Sequence, residues 1–145
     1  MESFGVYEKI ADRVKPYRDS VIVCLETAAD FLSISNGGLY NDVMKVYSEQ
    51  NIDDKHIEVH ILPGCFDKKA YMEWEGVYCT TLEQTLIDMI ENENEVDIQT
   101  LLESLSNYYY EHNETFGKIE SLMDERQLEV FETLRQDAVD YYNDY

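Results

Sequence analysis

"GVYCTTLEQTLIDMIENENE", residues 76–95, changes period in its middle, and the change decides how the chain folds. Val77, Tyr78 and Cys79 have the composition of a strand end. Thr80 and Thr81 stand where a helix would start, and Leu82, Leu86, Ile87 and Ile90 then recur at helical spacing. Thr80-x-x-Glu83 and Thr81-x-x-Gln84 both fit a capping box, in which the hydroxyl accepts from the third backbone N–H and the acid or amide reaches back. The stretch predicts a strand emptying into a capped helix. Thr85 and Asp88 follow with no companion base or nucleophile, so the segment predicts a joint rather than a reaction centre.

Downstream of the joint the period stays helical. Ile98, Leu101, Leu102, Leu105, Tyr108, Tyr109 and His112 keep three-and-four spacing, Phe116, Ile119, Leu122 and Met123 suggest a shorter helix, and Leu128, Phe131, Leu134 and Ala138 line a last one. Upstream, "KHIEVHILP" alternates Ile57, Val59 and Ile61 with His56, Glu58 and His60 before Pro63-Gly64. "AYMEWEGVYCTT" alternates less cleanly, and "DVMKVYSEQ" fits either period. Residues 2–15 place Val6, Tyr7, Ile10 and Val14 on one stripe ended by Pro16. In "DSVIVCLETAADFLSIS", Val21, Cys24, Leu25, Ala28, Ala29 and Leu32 predict one buried helix capped by Asp19 or Ser20 and stopped by Asn36-Gly37-Gly38. The expected fold is α+β: a small, mostly antiparallel sheet of two to four strands flanked by helices, with an all-helical acidic C-terminal part. One domain is expected over 1–145, with an N-terminal helix at 1–18, a helix plus small sheet at 19–79 and the helical part at 80–145.

Charge narrows the function. The chain has 31 Asp and Glu against 11 Lys and Arg, a formal net charge of −20, and it is lopsided. Residues 1–75 hold 14 acids and 8 bases, whereas residues 76–145 hold 17 acids and 3 bases, Lys118, Arg126 and Arg135. Such a chain repels phosphate backbones and anionic membranes, so direct nucleic-acid or membrane binding is not expected and a basic partner surface is. With 44% hydrophobic residues, disorder is not expected. No signal-peptide h-region follows Met1 and no 18-residue apolar span occurs, so a cytoplasmic protein is expected.

No complete catalytic constellation is legible. His56-x-x-x-His60 would suit zinc on a helix, but on a strand the two imidazoles stand about 13 Å apart at ~3.3 Å per residue. Cys24 and Cys79 fall in apolar runs and read as core. Cys65, in the turn "PGCFD", is the thiol expected to be exposed, with Lys68 and Lys69 near enough in sequence to lower its pKa. An enzyme using Cys65 or a carboxylate-bound metal is therefore the lowest-ranked expectation; no catalytic residue, metal ligand or cofactor is assigned.

The joint also carries a family pattern. "GVYCTTLEQTLIDMIE" followed by "VDIQTLLESLSNYY", and preceded by "VIVCLETAADFLSIS" and the strand "HIEVHILP", resembles the effector half of the AbiEi-type (abortive-infection, type IV) antitoxins over roughly residues 20–135. The family segment "G-[VI]-x-V-x-[ST]-x-x-x-T-L-x-D" maps onto Gly76, Val77, Thr81, Thr85, Leu86 and Asp88. The resemblance implies a protein that counteracts a nucleotidyltransferase toxin. The family usually carries an N-terminal winged helix that binds operator DNA, and only residues 1–18 stand in that place, so autoregulation through DNA is not expected.

The expected function is thus a non-catalytic acidic binding protein that neutralises a nucleic-acid-acting protein, antitoxin-like. The alternative is a phage-type inhibitor, anti-CRISPR or anti-restriction, whose acids mimic nucleic acid before a nuclease effector. Along a helix Glu125 to Glu129 is about 6 Å and Glu129 to Glu132 about 4.5 Å, intervals close to phosphate spacing. Glu125, Glu129, Glu132 and Asp140 lie opposite the apolar stripe of the last helix. With Asp137, and with Glu111 and Glu114 nearby in sequence, they are the expected partner-binding residues, and Tyr141-Tyr142 could add an aromatic anchor.

Overall fold

The computed structural model describes residues 2–35 and 43–143, with side chains from residue 8 onward. The Asn36-Gly37-Gly38 stop and the side chains of Val6 and Tyr7 lie outside the described residues. The chain opens with helix α1 (Glu2–Val14), which a 3-10 turn at Lys15–Tyr17 ends at Pro16. Next come strand β1 (Val21–Val23), helix α2 (Leu25–Phe31) and strands β2 (Met44–Ser48) and β3 (Ile57–Ile61). A single helical turn α3 (Cys65–Lys68) leads into the hairpin of β4 (Tyr71–Trp74) and β5 (Val77–Thr80). Helices α4 (Leu82–Glu91), α5 (Ile98–Glu111), α6 (Gly117–Leu122) and α7 (Glu125–Val139) complete the chain.

The α+β class is as expected, but the sheet has five strands in the order β3-β2-β1-β5-β4 and is mixed. β1–β2 and β4–β5 are antiparallel, while β1–β5 and β2–β3 are parallel. Two to four mostly antiparallel strands is therefore corrected, and the strand hidden from periodicity is β1. Val21 and Val23 pack into one apolar cluster with Ile10, Val14, Met44, Val46 and Cys79, whereas Ile22 packs into the other with Leu86, Ile90 and Leu105. A central strand buried on both faces shows no alternation and reads as an unbroken apolar run. Three consecutive β-branched residues then favour the strand over the first turn of a helix.

The expected single helix over this region is split at Cys24-Leu25. Cys24 is extended and Leu25 takes φ 53°, so the chain turns sharply from β1 into α2 without a glycine. Neither Asp19 nor Ser20 caps α2; its N-cap is Cys24, which makes no side-chain cap bond. A side-chain network holds α2 in place instead. Lys45 Nζ lies 2.8 Å from Glu26 Oε1, the Asp97 amide donates to Glu26 Oε2 at 2.9 Å, and the Lys45 amide donates to Thr27 Oγ1 at 2.9 Å. The C-terminal helices cover the other sheet face, where Phe116, Phe131, Leu101 and Tyr108 are among the largest fully buried side chains.

Candidate functional site

The strand-to-helix joint is built in more detail than its capping pattern predicts. Thr81 is the N-cap of α4 and its Oγ1 accepts from the Gln84 amide at 3.2 Å. Gln84 does not reach back. Its Oε1 accepts from the Ala70 amide at 3.3 Å and its Nε2 donates to Asp88 Oδ1 at 2.8 Å, while the Thr81 amide donates to the Ala70 carbonyl. The Thr80-x-x-Glu83 box does not form, because Thr80 is strand and fully buried; its hydroxyl pairs with that of Thr85 at 2.6 Å. Thr85 Oγ1 also bonds the Thr81 carbonyl at 2.8 Å, closing the first turn of α4 onto β5.

Asp88 is the charged centre of this joint. Its side chain is 1% exposed and receives Lys69 Nζ at 2.7 Å on Oδ1. Among the described residues the other oxygen, Oδ2, is buried without a hydrogen bond of normal geometry, although the Tyr47 hydroxyl stands close enough to favour the charged carboxylate. Burial raises the Asp88 pKa, and Lys69 opposes that rise. Lys69 also lies over the Tyr47 ring, 5.2 Å from its centroid. The threonine and aspartate positions of the family-like pattern thus hold a hairpin, a helix and β2 together. Asp88 was legible only as a motif position; its partner lies 19 residues earlier, at a spacing that no local period encodes.

The expected acidic residues come together in part. Tyr110 Oη donates to the Val139 carbonyl at 2.9 Å and Tyr142 Oη to Asn107 Oδ1 at 2.8 Å, so the C-terminal ends of α5 and α7 lie side by side. Glu111 closes α5, and Asp137 and Asp140 close α7, at this shared end. Neither helix has a basic residue in its last turn, so these carboxylates add to the negative ends of two helix dipoles. Glu114 follows in a turn where Asn113 and Glu114 take φ 61° and 56°. Left-handed backbone suits Asn and is costly for Glu. Glu125 stands at the far end of α7, about 20 Å away at 1.5 Å per residue.

Glu111, Glu114, Glu125, Glu129, Glu132 and Asp137 are all exposed. Glu132 differs from the unpaired array expected of it: Arg135 bonds it at 2.7 Å and holds its carboxyl below the usual range. Arg135 also pairs with Glu120 and lies 4.7 Å from the centroid of the Phe131 ring, so it fastens α6 to α7. Asp140 is half-buried and accepts from Gln136 Nε2 at 2.8 Å. Of the tyrosine pair, Tyr142 is the exposed one, at 45%.

The catalytic alternative changes more. Cys65 is fully buried rather than exposed, because α3 folds the "PGCFD" turn inward, and burial raises its pKa. Lys69, one of its expected activators, is spent on Asp88. Glu58 and His60 pair with each other at 2.7 Å on the edge strand β3. Among the described residues, no group of His, Cys, Asp or Glu has a metal-holding arrangement. An open cleft of about 550 Å³ between the 3-10 turn and the β2–β3 loop is lined by Asp19, Glu49 and Asp53 together with the aromatic rings of Tyr17 and Phe66. Among the described residues, no helix is long and apolar enough to cross a membrane. No protein-family model matches the chain, and no curated protein matches it in sequence.

Proposed function

We propose that this chain is a non-catalytic binding protein that neutralises a nucleic-acid-handling protein, in the manner of an antitoxin, by offering carboxylates to that protein's basic surface. The observation that carries the proposal is the shared end of α5 and α7. Two helix C-termini meet there with Glu111, Asp137 and Asp140 and with no cation in either last turn. Each carboxylate at such an end is unfavourable by roughly 0.3–1 kcal/mol in the free protein. A cationic partner reverses that sign and gains the same field as attraction, which acts mainly on the rate of encounter. The resemblance of residues 76–88 to the antitoxin segment supports a nucleotidyltransferase toxin as the partner.

A second proposal, a nucleic-acid mimic acting on a nuclease effector, draws on the row of Glu125 and Glu129 along α7. Both are exposed, and among the described residues neither carboxylate has a hydrogen-bond or ion-pair partner. The test is affinity capture from the native host with the full chain, in parallel with a Glu125→Lys, Glu129→Lys, Asp137→Lys, Asp140→Lys variant whose fold is first checked by circular dichroism. Recovery of a nucleotidyltransferase by the parent and not by the variant supports the antitoxin proposal; recovery of a nuclease effector supports the mimic. Equal recovery by parent and variant, or tight binding of the isolated protein to DNA at physiological salt, would overturn both.

A further inference from the structure

The β4 edge of the sheet carries a second surface, independent of the acidic helices. Among the described residues β4 is hydrogen-bonded to β5 alone, and its outer side is open. The Thr81 amide donates to the Ala70 carbonyl at 3.1 Å, and the strand register pairs Met72 with Cys79 and Trp74 with Val77. Antiparallel alternation therefore turns the backbone groups of Ala70, Met72 and Trp74 toward β5 and those of Tyr71 and Glu73 outward. The side chains are open too: Trp74 is 51% exposed and Tyr71 36%, and Ala70 and Glu73 are exposed. An open edge beside exposed aromatics is a template for another strand.

We propose that β4 pairs antiparallel with β4 of a second copy of this chain, about a two-fold axis at Met72. Three features of the segment select its own copy. The outward groups fit, because setting Tyr71 opposite Glu73 of the second copy, and the reverse, engages all of them on both strands. Size fits, because the same register sets Trp74, large and exposed, opposite Ala70, small and exposed. Charge fits as well. Lys69 is held by Asp88, but Lys68 precedes the strand and the acids Glu73 and Glu75 end it, so antiparallel pairing brings Lys68 toward the second copy's acids where parallel pairing would match like with like. Residues 68–76 are neutral overall in a chain of net charge −20, which makes this a place where two copies can approach.

The experiment is sedimentation velocity on the full chain over a concentration series, repeated with Glu73→Pro. The Glu73 amide points away from β5, so proline there removes an outward donor and spares the hairpin. A reversible dimer that the variant loses, with its circular dichroism and melting temperature kept, is the expected result. The register is read separately by Met72→Cys in a Cys79→Ala background, which removes the cross-strand thiol. Non-hydrogen-bonded antiparallel pairs stand about 4.5 Å apart at Cα, within disulfide reach, so oxidation should link two copies. Glu58→Cys on the opposite edge should remain unlinked. This crosslink decides the matter if the proline variant fails to fold. A monomer up to about 1 mM, where even weak specific contacts are populated, would overturn the proposal. So would a dimer that survives Glu73→Pro, or one that crosslinks at Glu58→Cys instead.

Discussion

Lys69→Met deletes the ammonium that faces Asp88 while leaving a side chain of similar length beside the Tyr47 ring. Removing one partner of a buried pair costs about 3–5 kcal/mol, because the surviving charge stays out of water. Two features lower that here. The Lys69 side chain is 17% exposed, so water can reach the vacated position, and Gln84 Nε2 still donates to Asp88 Oδ1 at 2.8 Å. The expected loss is about 2–4 kcal/mol near pH 8. Asp88 has one escape, which is to take up a proton, and each further unit of pKa elevation is worth about 1.4 kcal/mol. Its folded pKa is already raised by burial. An acid in that state binds more protons folded than unfolded, so its contribution to stability falls as pH rises from the unfolded value through the folded one. The variant should therefore be more damaging near pH 8 than near pH 5. Glu132 has the opposite sign: its pKa is lowered, so its contribution is lost as pH falls. Urea unfolding of parent and variant at both pH values measures the difference, and subtraction removes the charge repulsion common to both. A loss under about 1 kcal/mol, equal at the two pH values, would mean that Asp88 is solvated and that the joint is not held by its ion pair.

Asp124 caps α7 in a complete capping box with Gln127, so Asp124→Ala should cost about 1 kcal/mol in urea unfolding, whereas Asp137→Ala, which lacks a cap role, should be neutral or slightly stabilising. Glu75 and Gly76 form the two-residue turn of the β4–β5 hairpin at φ 50° and 84°, and Glu75→Asn should add roughly 1 kcal/mol by suiting the left-handed position. All three cysteines are buried and free, so a thiol reagent should modify none of them rapidly in the native protein and all three in guanidinium. Fast native modification of Cys65 would support the catalytic alternative.

The helices were legible where one face alone is buried. In α5, Leu101, Leu105 and Tyr108 are buried while Gln99, Tyr110 and Glu111 are exposed, and the apolar period gives the element directly. The hairpin was legible only in part, because "AYMEWEGVYCTT" alternates less cleanly than β3. β1 was not, since both of its faces are covered and it has no period to show. β3 shows the converse. Its alternation is clear, yet it is an edge strand on which Ile57 is buried, Val59 half-buried and Ile61 58% exposed, so an apolar position did not guarantee a place in the core.

Charge could be counted from the sequence, but its arrangement is tertiary. Arg135 is far from Glu120 in sequence, and its bond to Glu132 removes that residue from the row of unpaired acids that helical spacing predicts. Tyr110 and Tyr142, which carry no charge, decide that Glu111 and Asp140 share one end of the molecule, because their hydroxyls tie α5 to the C-terminal end of α7. A field is set by where charges gather and by which dipoles they add to. The two ends of α7 therefore differ physically. Glu125 sits in the first turn, where the dipole favours it, and Asp140 beyond the last, where the dipole opposes it. Lysine at position 125 removes a favourable contact, whereas lysine at position 140 creates one in the free protein. Partner binding weakened by Asp140→Lys in a protein made no less stable would separate recognition from folding at the shared end of α5 and α7.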